Sequence, residues 1–470
     1  MKRLTALVKT VIQDRIFLEK TVRIAVPAAL QGALNTVVNL VDNVMIGSLG
    51  TAAIAAVGLA NKVFFVFSLL VFGIVSGAGI LTAQYWGKGD VGAVRKTLGL
   101  SLILSVGASL LFAVPARLNP RLFMGIFTTS GDSIRLGAAY LAVAALAYPF
   151  TAVTSAYVSV LRAVNRVKEP VVISCVTILI NVVLNYILIY GTARVPAMGV
   201  TGAAAATLIS RMAETAAILC VVYLRKTPLA CRARELTGYS KHMLTRFSVT
   251  AVPVIANEFI WGIGVTVYSV AYGRMGDDAV AAITIATTIQ DIVVVLFQGV
   301  SAAAAVILGN ELGAGKMRRA QRYAKNFFVL QFLLTVVTAF LCAAARWKII
   351  GLYQPGISDE VAENVSRCLL LFSCFLPFRT FNYVNIVGVL RSGGDTRMCL
   401  LIDTAGVWLI GVPLAFLGGL VWKLPICVVY AMVMTEELFK AVFGYARYRQ
   451  KKWLKNLTEC GDVPERSRNL

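Results

Sequence analysis

The sequence predicts an all-α integral membrane protein, with about twelve transmembrane helices in two pseudo-symmetric six-helix bundles around a central cavity. Three observations predict it. Of 470 residues, 58% are hydrophobic and only 14% charged, and the mean hydropathy is +0.77, whereas soluble domains carry about a quarter charged residues. Apolar runs of roughly 20 residues recur about twelve times between short basic stretches, and a hydrocarbon core about 30 Å thick needs a helix of that length. The third observation is that the first half of the chain recurs in the second.

Residues 1–20 are charged throughout and read as an uncleaved, interfacial N-terminal segment on the cytoplasmic side, not as a signal peptide. Helix one is expected over 23–48, with Pro27 near its start and Asp42 toward its end. The next apolar runs give helices over 54–84, 93–115 and 133–160. Helices five and six complete an N-lobe of 21–224. A charged linker at 225–246, containing Pro228 and Gly238, leads into a C-lobe of 247–448 with helices seven to twelve, and a cytoplasmic tail occupies 449–470. Pro27 and Pro253 each remove a backbone hydrogen bond near the start of a helix, and a static bend is the simplest reading. Runs of small residues at 76–79, 202–206 and 302–305 let helices approach closely.

Sliding the sequence on itself by 226 residues sets Pro27 on Pro253, Gly47 on Gly273, Gly50 on Gly276, Ala60 on Ala286, Gly73 on Gly299, Gly87 on Gly313 and Gly89 on Gly315. From Pro27 to Gly89, 14 of 63 positions are identical, and the matches concentrate in the Gly and Pro residues that shape a backbone. Later the same correspondence returns with one inserted residue: Tyr148-Pro149-Phe150 leading to Val160-Leu161-Arg162 resembles Leu376-Pro377-Phe378 leading to Val389-Leu390-Arg391. Each half therefore holds six spans. Six is even, so the halves run parallel about an axis along the membrane normal, an architecture in which two bundles rock against each other around a midplane site.

A net charge of +22 would suit nucleic acid, because basic surfaces release counterions from phosphates. The distribution argues otherwise. With alternate loops assigned to opposite sides, one set together with both termini holds about 32 of the 45 Lys and Arg, and the other about 9. Both termini are thus expected in the cytoplasm of a multi-pass cell-membrane protein, and the charge reports topology and contact with anionic membrane lipids, not nucleic acid. Nine scattered Cys without a Cys-x-x-Cys, and a lone His242, point away from a metal site. Cys175, Cys220, Cys342, Cys374 and Cys427 read as small core residues. No Walker loop is present to bring ATP into the chain.

Ionisable side chains within apolar helices cost roughly 2.5–3.5 kcal/mol each on insertion scales, so they face a cavity or a partner. Asp42 has no basic residue within a helical turn, and a dry carboxylate favours uptake of a proton or another cation. Glu258 in the middle of helix seven and Asp291 in helix eight are candidates for the same role, with Arg379 in helix ten as an ion-pair partner for Asp291. Arg211 and Glu214, three apart on helix six, read as a self-neutralising pair, as do Glu436, Glu437 and Lys440 on helix twelve. Asp403 sits near the cytoplasmic end of helix eleven, and Lys62 is expected to snorkel. Aromatic and Met side chains adapt to varied apolar ligands and attract cations over ring faces, which makes Met45, Phe64, Phe65, Phe67, Tyr157, Trp261, Tyr268 and Tyr383 the candidates for a substrate site.

At this point the residues resemble the multidrug and toxic compound extrusion (MATE) family, over nearly the whole chain and in the right order. The resemblance rests on Asp42-Asn43-Val44-Met45-Ile46-Gly47-Ser48-Leu49-Gly50 at the end of helix one and on Gln84-Tyr85-Trp86-Gly87-Lys88-Gly89-Asp90 after helix two. The latter has a counterpart, Gly309-Asn310-Glu311-Leu312-Gly313-Ala314-Gly315, after helix eight. In helices five and six it rests on Asn181-Val182-Val183-Leu184-Asn185, Gly191, Pro196, Gly199 and Gly202-Ala203-Ala204. It implies a monomeric, non-enzymatic transporter without a cofactor, which exports small-molecule amphiphilic cations in exchange for H+ or Na+ by alternating access. Proton-coupled members resemble this chain in placing an acid at Asp42. They add an Asn and an Asp four apart on helix five, where this sequence has Asn181 and Asn185, and Thr207 on helix six is the implied fourth member. Asn185 replaces the second acid, so one negative charge remains instead of two. Several members have an acid in helix seven about one turn from Glu258. The sodium-coupled branch has one in helix ten, and none occurs here between Cys368 and Leu390. The rival readings are a lipid-linked oligosaccharide flippase of the same superfamily, whose cavity tends to be basic where this inventory leans acidic, a membrane enzyme, for which clustered catalytic groups are lacking, and a passive channel.

Overall fold

A computed structural model of the protein describes residues 11, 13–351 and 357–459; the expectations for residues 1–10 and for the tail beyond 459 lie outside the described residues. Among the described residues, twelve long helices carry the chain: α1 Arg15–Gly47, α2 Thr51–Lys88, α3 Val91–Leu118, α4 Gly131–Ala163, α5 Lys168–Tyr190, α6 Gly199–Leu224, α7 Lys241–Gly273, α8 Asp277–Gly313, α9 Met317–Gly351, α10 Asp359–Leu390, α11 Thr396–Val421 and α12 Ile426–Arg449. Among the described residues, eleven are long and apolar enough to cross a membrane; α12 differs in carrying Glu436, Glu437 and Lys440 in mid-helix. Among the described residues, no strand beyond an isolated bridge between Thr192 and Val195 interrupts them. Among the described residues, the helical class is the predicted one and twelve long helices match the predicted number.

Each irregular stretch lies in a helix that also carries a proline. A single 3-10 turn at Ala145–Ala147 precedes Pro149 in α4, because the ring removes one backbone donor and crowds the carbonyl four residues earlier. In α10, Pro377 is followed by a π-helical segment, Tyr383–Leu390. In α11, π-helical turns flank Pro413.

The repeat is visible in the backbone. Gly50 and Gly276, which start α2 and α8, have φ of 107° and 114°, and Gly89 and Gly315, which close the same helices, have 83° and 73°. A side chain rarely tolerates these angles, so glycine recurs where the conformation recurs.

Two compact units form, Leu30–Ile255 (the N unit) and Met1–Ala29 with Ala256–Leu470 (the C unit). They divide inside α1 and α7, two residues after Pro27 and Pro253, so each unit contains the first segment of a helix whose remainder belongs to the other. Inside the N unit, a Cβ added to Gly73 of α2 would lie 2.7 Å from the Cα of Ile255. Inside the C unit, one added to Gly299 of α8 would lie 2.5 Å from the Ala25 carbonyl and 2.9 Å from the Ala29 Cβ. Under the 226-residue shift these are one contact made twice: Gly73 corresponds to Gly299, and Ile255 to Ala29.

Candidate functional site

In the N unit, Asp42 lies toward the end of α1 and is half-buried. Asn185 Nδ2 on α5 donates to its Oδ1 at 2.5 Å and to the Asn181 Oδ1 at 3.2 Å, an arrangement the four-residue spacing allows because both amides share one helix face. Asn181 is 6% and Asn185 1% exposed. Asp42 is thus held by an amide and, among the described residues, has no ion-pair partner within 4 Å. Thr207 donates to Ala203 O of its own helix at 3.0 Å.

A second polar chain starts at Arg211, which donates to Glu214 at 2.7 Å. Ser174 donates to the other Glu214 oxygen at 3.0 Å, Gln31 to Ser174 at 3.1 Å, and Arg162 to Gln31 at 3.2 Å. One carboxylate here serves between two guanidiniums.

In the C unit the repeat rebuilds this network with other side chains. Gln31 corresponds to Asn257 at the 226-residue shift, while Arg162 and Arg391, and likewise Ser174 and Asp403, stand 229 apart. Asn257 donates to Asp403 at 3.0 Å, and Arg391 pairs with Glu258 at 3.1 Å. Glu258 is therefore a neutralised acid. Arg391 is only 2% exposed, and in so dry a site removing one partner costs far more than the pair contributes. Glu436 accepts from Lys440 at 3.1 Å and from Tyr268 at 2.5 Å. Glu437 accepts from Asn382 at 2.8 Å.

The expected ion pair of Asp291 with Arg379 does not form among the described residues. Arg379 donates to the buried neighbour Gln290 at 3.1 Å and lies 5.8 Å from the Phe372 ring, while Asp291 is exposed. Adjacent helix positions point about 100° apart, so only one of the two can face α10.

The candidate substrate residues are scattered in environment. Phe65 and Trp261 are exposed, and Met45, Phe64, Tyr268 and Tyr383 are half-buried. Tyr157 is 3% exposed, a core residue of the N unit. Phe67 is fully buried and stacks on Tyr148 with ring centroids 4.7 Å apart. Phe64 lies 5.6 Å from the same Tyr148 ring. The Tyr268 hydroxyl is already engaged by Glu436. Cys220 and Cys374, read as core, are exposed instead. Gln31, Ser174, Asn257 and Asn382 join these networks although sequence reading passes over them; being neutral, they carry no insertion cost that would single them out. The equivalence of Gln31 and Asn257 in the repeat is the one available signal. Among the described residues, no group of His, Cys, Asp and Glu is suited to hold a metal ion.

The MatE family model matches residues 27–187 and 253–417. Among curated relatives, a protein from Thermotoga maritima called "Probable multidrug resistance protein NorM" is 22% identical over 441 residues, 93% of either chain. One of the same designation from Rhodopseudomonas palustris is 29% identical over 421 residues, 86% of either chain. "Multidrug resistance protein PmpM" of Pseudomonas aeruginosa is 25% identical over 422 residues, covering 86% of this chain and 85% of that one. Among solved structures, a MOP superfamily transporter from Pyrococcus furiosus, described as having a binding pocket of reverse polarity, superposes with a TM-score of 0.84 at 19% identity, covering 94% of this chain and 96% of that one. An outward-facing multidrug resistance MATE transporter gives 0.84 at 18% identity with the same coverage.

Proposed function

The chain belongs to the MatE family of multi-pass membrane transporters, and from that premise we propose that it is a secondary active multidrug exporter, which exchanges cationic or amphiphilic small molecules for H+ or Na+ by alternating access of two lobes. The carrying observation is Asp42. Its carboxylate is bonded to the Asn185 amide and not to a base, so its charge is left for an arriving cation to neutralise. The names of the curated relatives support export of drugs.

In this reading an ion from the outer side neutralises Asp42, the hold on a bound organic cation weakens, and the cation leaves before the protein reopens inward. One charge moving through 100 mV supplies about 2.3 kcal/mol, enough to drive a concentration gradient without ATP. The protein works as a monomer without a cofactor, with both termini in the cytoplasm and lobes at 21–224 and 247–448. Phe65 and Trp261, exposed aromatic faces, serve the substrate's apolar body and its charge.

The test is efflux of a fluorescent organic cation from proteoliposomes under separately imposed proton and sodium gradients. Asp42→Asn keeps an acceptor for Asn185, so it should fold normally while gradient-driven efflux drops at least about tenfold, equivalent to about 1.4 kcal/mol. Undiminished driven efflux in that variant, or no driven efflux in the wild type under either gradient, would falsify the proposal.

A further inference from the structure

We infer that the N unit holds an anion site at the C-terminal end of α4, where the Arg162 guanidinium takes the carboxylate of a small organic acid. The inference goes beyond the exporter reading and does not rest on it.

The two halves of the repeat supply the first support. Arg162 in the N unit and Arg391 in the C unit are equivalent residues, and so are the pairs that flank them, Gln31 with Ser174 and Asn257 with Asp403. In each unit the amide donates to the group opposite, at 3.1 Å from Gln31 to Ser174 and at 3.0 Å from Asn257 to Asp403. The two frameworks differ at one position. Glu258, the carboxylate that meets Arg391 at 3.1 Å, corresponds to Gly32 at the 226-residue shift. The N unit thus keeps the guanidinium and carries no side chain at the position that supplies its counter-charge in the C unit.

The second support is the state of Arg162 itself. Its Nη2 donates to the neutral Gln31 Oε1 at 3.2 Å, and its Nε is shut off from solvent with no hydrogen-bonding partner. Among the described residues no carboxylate lies within ion-pairing distance of it: Glu169 is held by Arg166 at 3.3 Å and Glu214 by Arg211 at 2.7 Å. Glu214 reaches Arg162 only through Ser174 and Gln31, both neutral. Among the described residues no charged group acts on Arg162, whereas Arg391 feels both Glu258 and Asp403. The Nε of Arg391 is also without a partner, but the charge there is met. A guanidinium kept from water with no acid beside it is costly, and proteins hold such a group against a counter-ion. The last turn of α4 favours a positive side chain, yet it offers Nε no acceptor.

The geometry selects the ligand. Nε and Nη2 form the edge of the guanidinium that binds a carboxylate through two parallel hydrogen bonds. Arg162 as a whole is half-buried, so the group is reachable although Nε is dry. Gly32, half-buried beside Gln31 on α1, leaves the place of the Glu258 side chain to the ligand. One guanidinium among neutral contacts balances a single negative charge, which favours a carboxylate over a doubly charged phosphate. Arg166 and Lys168, against the single Glu169, make the approach from the turn after α4 positive.

The experiment is thermal unfolding of the purified full-length protein in detergent, in sodium acetate against sodium chloride at equal ionic strength. An anion that binds only the folded state raises the melting temperature with concentration. The wild type should show a rise in acetate beyond that in chloride. In Arg162→Gln the acetate concentration giving half the rise should increase at least about tenfold. Gly32→Glu supplies the counter-charge from the chain, as Glu258 does for Arg391, so it should melt above the wild type in chloride and lose the acetate response. Should Arg162→Gln fail to fold, Gly32→Glu is the check. A wild type that does not distinguish acetate from chloride, or either variant responding to acetate as the wild type does, overturns the site. Inorganic phosphate acting through Arg162 at lower concentration than acetate overturns the assignment to a carboxylate.

Discussion

Asp42 and Glu258 are both single carboxylates within apolar helices, yet one meets an amide at 2.5 Å and the other a guanidinium at 3.1 Å. The partner, not the carboxylate, separates a group that can bind a cation from one already neutralised. For Glu258 this makes a stability prediction. Arg391→Met should leave a buried, unpaired carboxylate and cost about 3–5 kcal/mol, whereas Arg391→Met combined with Glu258→Gln should recover most of the loss. Apparent melting temperatures in detergent give the order, and a double variant no more stable than the single one refutes it. The sequence showed the acid of each pair readily, because a charge in an apolar run is conspicuous. It could not show that Arg391, 133 residues downstream, would be the one to reach Glu258 while Arg379 passed Asp291 by for Gln290.

Helices α2 and α8 use glycine to let a neighbouring backbone approach, and the repeat pairs Gly73 with Gly299. At Gly73 and Gly299 an added Cβ would meet main-chain atoms of α7 and α1, and backbone cannot swing aside as a side chain can. Gly73→Val and Gly299→Val should therefore each destabilise by about 1–3 kcal/mol. Gly107 of α3, where an added methyl would meet nothing within 4 Å, is the control: Gly107→Ala should be neutral, or gain up to about 1 kcal/mol from a stiffer unfolded chain. Equal losses at all three positions would mean that close approach is not what those glycines provide. Such a contact is half-legible in sequence. The coincidence of Gly73 with Gly299 marks a backbone constraint, and Ile255 and Ala29 become its partners only when the helices fold against each other.

The molecule as a whole is a duplicated set of helices whose compact units exchange the first segments of α1 and α7. If basic loops face the cytoplasm, cysteines introduced at Thr192 and Lys423 should react with an impermeant thiol reagent added outside intact cells, and those at Lys88 and Arg318 should not. The opposite pattern would invert the proposed orientation and the direction of export with it. Hydropathy, loop charge and the recurring Gly and Pro determined from sequence alone that the chain is a membrane protein of about twelve helices in two repeated halves, because each is set by the bilayer or by the backbone locally; the family resemblance came from the motifs around Asp42, Gln84 and Asn181. Only the tertiary structure decided that Asp42 meets Asn185, that Glu258 pairs with Arg391, and that Arg379 donates to Gln290 and not to Asp291. Those outcomes depend on which side chains of distant helices share a seam, and helical periodicity gives a residue's face without naming what stands opposite.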